Sequence, residues 1–252
     1  MEEWFHNPHD HFFIACRHFQ HKTDERLQEL LDDDDYPGAI QVLLECQTVV
    51  ATYSHFTAVK QLASKLQDTL EMMEERLDVA LAKVCVDFAP TMYERLSVAF
   101  ALLGKTQTSM DQLHMHLTSA IHNTAWNVVF GHAALLQQPG CIQEQQLGKK
   151  QYADLCGCIA EDSVLPCLVD LCRALWSIMN SYRQIVAWHE VGGEGGAVAE
   201  TADRQYIERK LANGKMRIWQ DVQTKVRVFV LANDLSGLGI DTFLEFMDVI
   251  HK

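Results

Sequence analysis

Seven apolar residues, Leu62, Leu66, Leu70, Met73, Leu77, Leu81 and Val84, recur at steps of four, four, three, four, four and three. A strand alternates its side chains with period two and cannot gather such a series on one face, whereas a helix of 3.6 residues per turn does. Gln67, Asp68, Glu71, Glu74, Glu75 and Asp78 fall on the opposite side. The segment therefore predicts a helical rod of about 45 Å, at 1.5 Å per residue over about thirty residues, with one face seeking a helical partner. The seven residues are the candidate packing or partner stripe.

The rest of the chain reads the same way. Leu27, Leu30 and Leu31 form a short amphipathic series that runs into the acids Asp32 to Asp35, after which Pro37 suits the first turn of a second helix carrying Ile40, Leu43 and Leu44. Pro90 opens another helix through Tyr93, Leu96, Phe100 and Leu103, and Gly104 is placed to close it as the residue just past the C-cap. A long helix is expected from about Ser109 to Gln137, and another from about Ser163 to Glu190 with Pro166 in its first turn. Beyond the Gly-rich stretch after Val191, a helix through Tyr206, Leu211, Ile218, Val222, Val226 and Phe229 is expected to break near Gly214, and a last one to begin near Asp241. VRVFVL, from Val226 to Leu231, is ambiguous between helix and strand. With 5 Pro and 13 Gly in 252 residues and no regular cadence of turns, the fold class is all-α.

Charge and cysteine narrow the function classes. Lys and Arg number 21 against 34 Asp and Glu, a formal net charge of −13, which disfavours nucleic acid and anionic lipid as direct ligands. No secretion signal opens the chain, no apolar run is long enough to span a membrane, and the 8 cysteines are expected to be reduced thiols. Cys156, Cys158, Cys167 and Cys172 cluster, but their spacing departs from zinc-ribbon patterns, and Cys172 reads as a small hydrophobe on an apolar helix face. His114 and His116 lie about 200° apart around a helix and cannot share an ion. Gly104-Lys105-Thr106 resembles the end of a phosphate loop, yet no glycine or strand precedes it where that loop requires them. Neither a nucleophile elbow nor a dinucleotide fingerprint is present, so no catalytic, cofactor-binding or metal-ligating residue is assigned. A self-contained helical adaptor fits the same stripes, and a metal-dependent hydrolase on a helical bundle has only the cysteine cluster and scattered histidines in its favour.

Several collinear blocks carry a resemblance: DDDYPGAIQ (Asp33 to Gln41), LECQ (Leu44 to Gln47), SKLQDTLE (Ser64 to Glu71), LDVAL (Leu77 to Leu81), LLGKTQT (Leu102 to Thr108), MDQLHMH (Met110 to His116), AIHNT (Ala120 to Thr124), CLVDLCRALW (Cys167 to Trp176) and RIWQDVQ (Arg217 to Gln223). In register from about Thr23 onward, they resemble the syndetin family, the distinguishing subunits of the endosome-associated recycling protein complex. The resemblance implies an elongated helical rod of the multisubunit tethering type, without catalysis or cofactor. It also implies the other subunits of that complex and SNARE proteins as partners, in endocytic recycling and endosome-to-Golgi retrograde transport. Such a protein is cytosolic and recruited peripherally, through its partners, to recycling endosomes and the trans-Golgi network. The expected organisation is an atypical, poorly ordered segment 1–22, a helical tethering-subunit region 23–190, a flexible linker 191–203 and further helices over 204–252. The chain is expected to be a piece of an N-terminal region that lacks an upstream coiled-coil segment.

Overall fold

The computed structural model describes residues 21–53, 57–134, 147–191 and 201–233, and its regular elements there are all helices. They are α1 (21–32), α2 (Tyr36–Thr52), α3 (Thr57–Val86), α4 (Pro90–Leu102), α5 (Thr106–Ala134), α6 (Tyr152–Cys156), α7 (Glu161–Glu190) and α8 (Thr201–Ala232). The expectations placed on residues 1–20, on most of the connection after Gln137, on the GGEGG stretch and on a final helix from Asp241 lie outside the described residues. The chain divides into two compact units that are interleaved along the sequence. One holds α1, α2, α3 through Leu81, α4 and α5 through Ser109; the other holds Ala82–Phe88, the rest of α5, α6, α7 and α8 from Gln205.

Local chemistry sets the helix ends in the first unit. The Asp35 carboxylate accepts a hydrogen bond from the Gly38 amide (3.1 Å) and caps α2, with Pro37 in the opening turn where no donor is missed. A Cβ on Gly38 would come within 2.4 Å of that carboxylate, so only glycine lets the cap close. The turn before it holds Asp34 at φ 54, and Arg95 of α4 donates to the carbonyls of Asp33 (2.9 Å) and Asp34 (3.2 Å), fixing the turn against the helix that packs on α2. Gly104 closes α4 at φ +66: its amide donates to Ala101 and that of Lys105 to Phe100, both at 2.9 Å, which is the Schellman pattern.

Six of the seven stripe residues on α3 are buried, Met73 and Leu77 completely, while Leu70 is only half-buried. Leu81 stands further round the helix than Leu70 and is still buried, so the partial exposure of Leu70 comes from what packs beside it and not from the periodicity. In the first unit Ala39, Ile40, Leu43, Leu96 and Ala99 are likewise fully removed from solvent.

The second unit is built on three long helices. Tyr182 of α7 meets His114 of α5 edge to face, while His132, further along α5, meets Asp170, earlier on α7, so these two helices run antiparallel. Asp111, Thr118 and His122 of α5 pair in rising order with Lys210, Asp221 and Lys225 of α8, so those two run parallel. Ser181, a buried hydroxyl, donates to the carbonyl of Val86 (3.1 Å), the last residue of α3, whose acceptor has no partner within its own helix.

The structure corrects three expectations. Helix α8 runs unbroken through Gly214 and includes VRVFVL, because burial of Ile218, Val222 and Phe229 on one face outweighs a single glycine and a β-branched run. Residues 201–203 belong to α8, and residues 21–22 to α1. Pro166 lies inside α7 and not in its first turn, since the helix begins at Glu161, where Glu161 and Asp162 favour the positive end of the dipole.

The uneven burial of the stripe makes a direct prediction. Leu77→Asp places an unpaired charge in a solvent-free contact and is expected to cost about 3 kcal/mol or more, whereas Leu70→Asp should cost less than about half of that. Equal losses in urea denaturation would show that the two positions are packed alike.

Candidate functional site

The residues of chemical interest gather where α5, α7 and α8 meet in the second unit. Gly214, buried in mid-helix, is the point of closest approach: a Cβ there would lie 1.9 Å from His114 Nε2 and 2.7 Å from the Tyr182 hydroxyl. Tyr182 donates to the carbonyl of Leu211 (2.6 Å), one turn before Gly214, and burial raises its phenol to about 12, so it stays a donor. His114 Nδ1 is 2.8 Å from the carbonyl of Met110, which can only accept, so Nδ1 carries the proton and the buried Nε2 faces Gly214 without a hydrogen-bond partner.

Beside this node a cleft of about 630 Å³, with several charged side chains in its lining, opens between α5 and α8. Its charges are largely paired across the two helices. Tyr206 donates to both oxygens of Asp111 (2.9 and 3.0 Å), and Lys210 forms an ion pair with the same carboxylate. That hydrogen bond to Lys210 holds the Asp111 carboxyl below its ordinary range and the Lys210 ammonium above its own. Thr118 donates to Asp221 (3.1 Å). Lys225 lies 2.7 Å from His122 Nδ1; burial first, and then the neighbouring ammonium, lower the imidazole's pKa, which leaves Nδ1 free to accept. Lys225 also sits 5.0 Å over the Tyr152 ring, whose hydroxyl donates to the Lys225 carbonyl (3.1 Å). The cleft is thus a seam that joins helices, in which Asp111, Asp221, Lys210, Lys225 and His122 are each paired across α5 and α8.

Cys46, Cys156, Cys167 and Cys172 behave as packing. Burial raises the Cys156 thiol to about 11 and that of Cys167 to about 12, and it also raises those of Cys46 and Cys172, so all four are protonated near neutrality and poor nucleophiles. Among the described residues no group of three or more His, Cys, Asp or Glu side chains is placed to hold a metal ion. At Gly104-Lys105-Thr106 the glycine is a helix terminator, Lys105 pairs with Glu74, and Thr106 begins α5. Among the described residues no helix is long and apolar enough to cross a membrane.

The stripe on α3 is largely covered within the chain, whereas Trp176, Met216 and Trp219 are 62%, 61% and 45% exposed. Sequence reasoning passed these three by. The signal was present in phase: Met216 and Trp219 are three apart and out of register with the buried series Leu211, Ile218 and Val222.

An all-helical chain with covered core stripes and a second, open apolar face has the build of a protein that works through helix contacts. Residues 14–188 match the family model of vacuolar-sorting protein 54 of the GARP complex, and the chain belongs to that family. Among its relatives are syndetin of Gallus gallus, 47% identical over 246 residues, and syndetin of Rattus norvegicus, 47% identical over 243 residues. Each alignment covers 92% of this chain but only 26% and 25% of the respective relative, so the chain spans about a quarter of their length. No solved structure matches the chain.

Two outcomes follow from this geometry. Gly→Ala inside a helix ordinarily stabilises by about 0.5–1 kcal/mol, but Gly214→Ala must push apart α5, α7 and α8 and should instead destabilise by roughly 1–3 kcal/mol; a raised melting temperature would show that the helices do not meet there. Burial lowers His189 from the ordinary imidazole value of 6.5 to about 4. Because the folded imidazole resists the proton that the unfolded one accepts, its contribution to stability is present above pH 6.5 and is lost as pH falls toward about 4. Urea denaturation from pH 7 to 4.5 should show a shallower acid loss in His189→Gln than in the parent.

Proposed function

We propose that this chain is part of a non-catalytic subunit of a vesicle-tethering complex acting in endocytic recycling and endosome-to-Golgi retrograde transport. Its partners in this reading are the other subunits of the endosome-associated recycling protein complex and SNARE proteins, and it promotes SNARE-dependent fusion through helical contacts. The observation that carries the reading is membership of the vacuolar-sorting protein 54 family over residues 14–188, joined to 47% identity with syndetin over nearly the whole chain. Physical features support it. The pairs Asp111 with Lys210, Thr118 with Asp221 and His122 with Lys225 are occupied in joining α5 to α8, as helix packing in such a subunit requires. A net charge of −13 opposes direct attraction to anionic lipid, so the subunit reaches recycling endosomes and the trans-Golgi network from the cytosol by way of its partners. The Leu62 to Val84 stripe serves in this reading as the internal packing seam of α3.

The test is purification of the full-length protein, tagged at its endogenous level, from cells in which endosomes are intact. Stoichiometric recovery of the other recycling-complex subunits is the expected result. Their absence, with the tagged protein intact and folded, overturns the assignment.

A further inference from the structure

We infer that the cleft between α7 and α8 is a docking groove for an acidic amphipathic helix supplied by a partner protein. The groove has a volume of about 430 Å³ and lies wholly within the second unit. Trp176 and Met179 of α7 form one wall, Met216 and Trp219 of α8 the other. On α8 the lining residues Ala212, Lys215, Met216 and Trp219 follow the spacing i, i+3, i+4, i+7, and on α7 Trp176, Met179 and Arg183 follow i, i+3, i+7. Each wall is therefore a straight stripe about 10 Å long, apolar but for one cation, Lys215 on α8 and Arg183 on α7, and it spans two turns of an incoming helix. Trp176 and Met216 each leave more than half of their surface in water, and Trp219 beside them is 45% exposed, so three large apolar side chains lie open along one groove. Trp, Met and Arg are the residue types that protein interfaces concentrate, and a contiguous patch of them marks a contact site.

Charge selects the occupant. The groove is lined by only two charged residues, Arg183 and Lys215, and both are cationic although the chain as a whole stands at −13. Arg183 is steadied at the rim by donating to Asn180 (3.0 Å). A helix with apolar anchors at i, i+3, i+4 and i+7 and carboxylates flanking them satisfies both the floor and the rim. A second copy of this chain fits poorly, because a two-fold contact would oppose Arg183 and Lys215 to their own counterparts. An anionic bilayer would meet the acidic body of the protein as well as the two cations. The inference concerns this groove alone and does not rest on the tethering assignment.

The experiment uses fluorescein-labelled designed peptides of about 18 residues that share one leucine face, flanked either by Glu or by Lys, titrated with the whole chain and followed by anisotropy. The Glu peptide is expected to bind at least roughly tenfold more tightly than the Lys peptide. Trp176→Ala with Trp219→Ala should weaken it by a similar factor while leaving the circular-dichroism melt unchanged, as both side chains are substantially exposed. Arg183→Glu with Lys215→Glu, which leaves the apolar walls intact, should invert the preference toward the Lys peptide. Equal binding of the two peptides, no change in either double variant, or no binding of the Glu peptide at about 1 mM would each overturn the inference. Self-association in sedimentation that is abolished by the tryptophan variants would make the occupant a second copy, and flotation with phosphatidylserine vesicles abolished by them would make it a lipid surface; either result also overturns it.

Discussion

The second unit depends on how closely three helices approach one another at Gly214. A helix axis normally stands 8–10 Å from its neighbour, a separation set by the side chains between them. Removing the side chain at Gly214 lets the His114 imidazole and the Tyr182 hydroxyl occupy the space a Cβ would fill. The Tyr182 bond to the Leu211 carbonyl then locks α7 to α8 one turn away. The parallel pairing of α5 with α8 follows downstream, where Asp221 and Lys225 come level with Thr118 and His122. A glycine that reads locally as a helix breaker is thus the condition for the helix's position.

The first unit is governed by its turns. Asp34 in the left-handed region, the Asp35 cap and the Gly104 Schellman closure direct the chain between successive helices, and Arg95 ties one of those turns to a neighbouring helix through backbone carbonyls. These devices satisfy polar groups that would otherwise be orphaned at helix ends, so the apolar faces can be buried without leaving unpaired donors behind. The Ser181 bond to Val86 does the same in the second unit across a tertiary contact.

These two kinds of constraint bear on function in different ways. The buried stripe of α3 and the paired charges between α5 and α8 are spent on holding the chain's own helices. The walls of the α7–α8 cleft are not, and they combine exposed tryptophan and methionine with the two cations of the rim. In a family of complex-forming proteins, surface of that kind is where a partner's chemistry can be read.

Sequence alone determined the all-α class, the helix of the Leu62 stripe, the start at Pro37, the stop at Gly104 and the family, because caps, prolines, glycines and periodicity act within a few residues of one another. It missed the continuity of α8 through Gly214, the interior position of Pro166 and the partial exposure of Leu70. Each of those is decided by what packs against the residue, and that information lies far away in the chain. The pairing of Asp111 with Lys210, the protonated state of the buried cysteines and the exposure of Trp176, Met216 and Trp219 are tertiary in the same sense. Periodicity says which face of a helix is apolar, but only the arrangement of neighbouring helices decides whether that face is covered or left open.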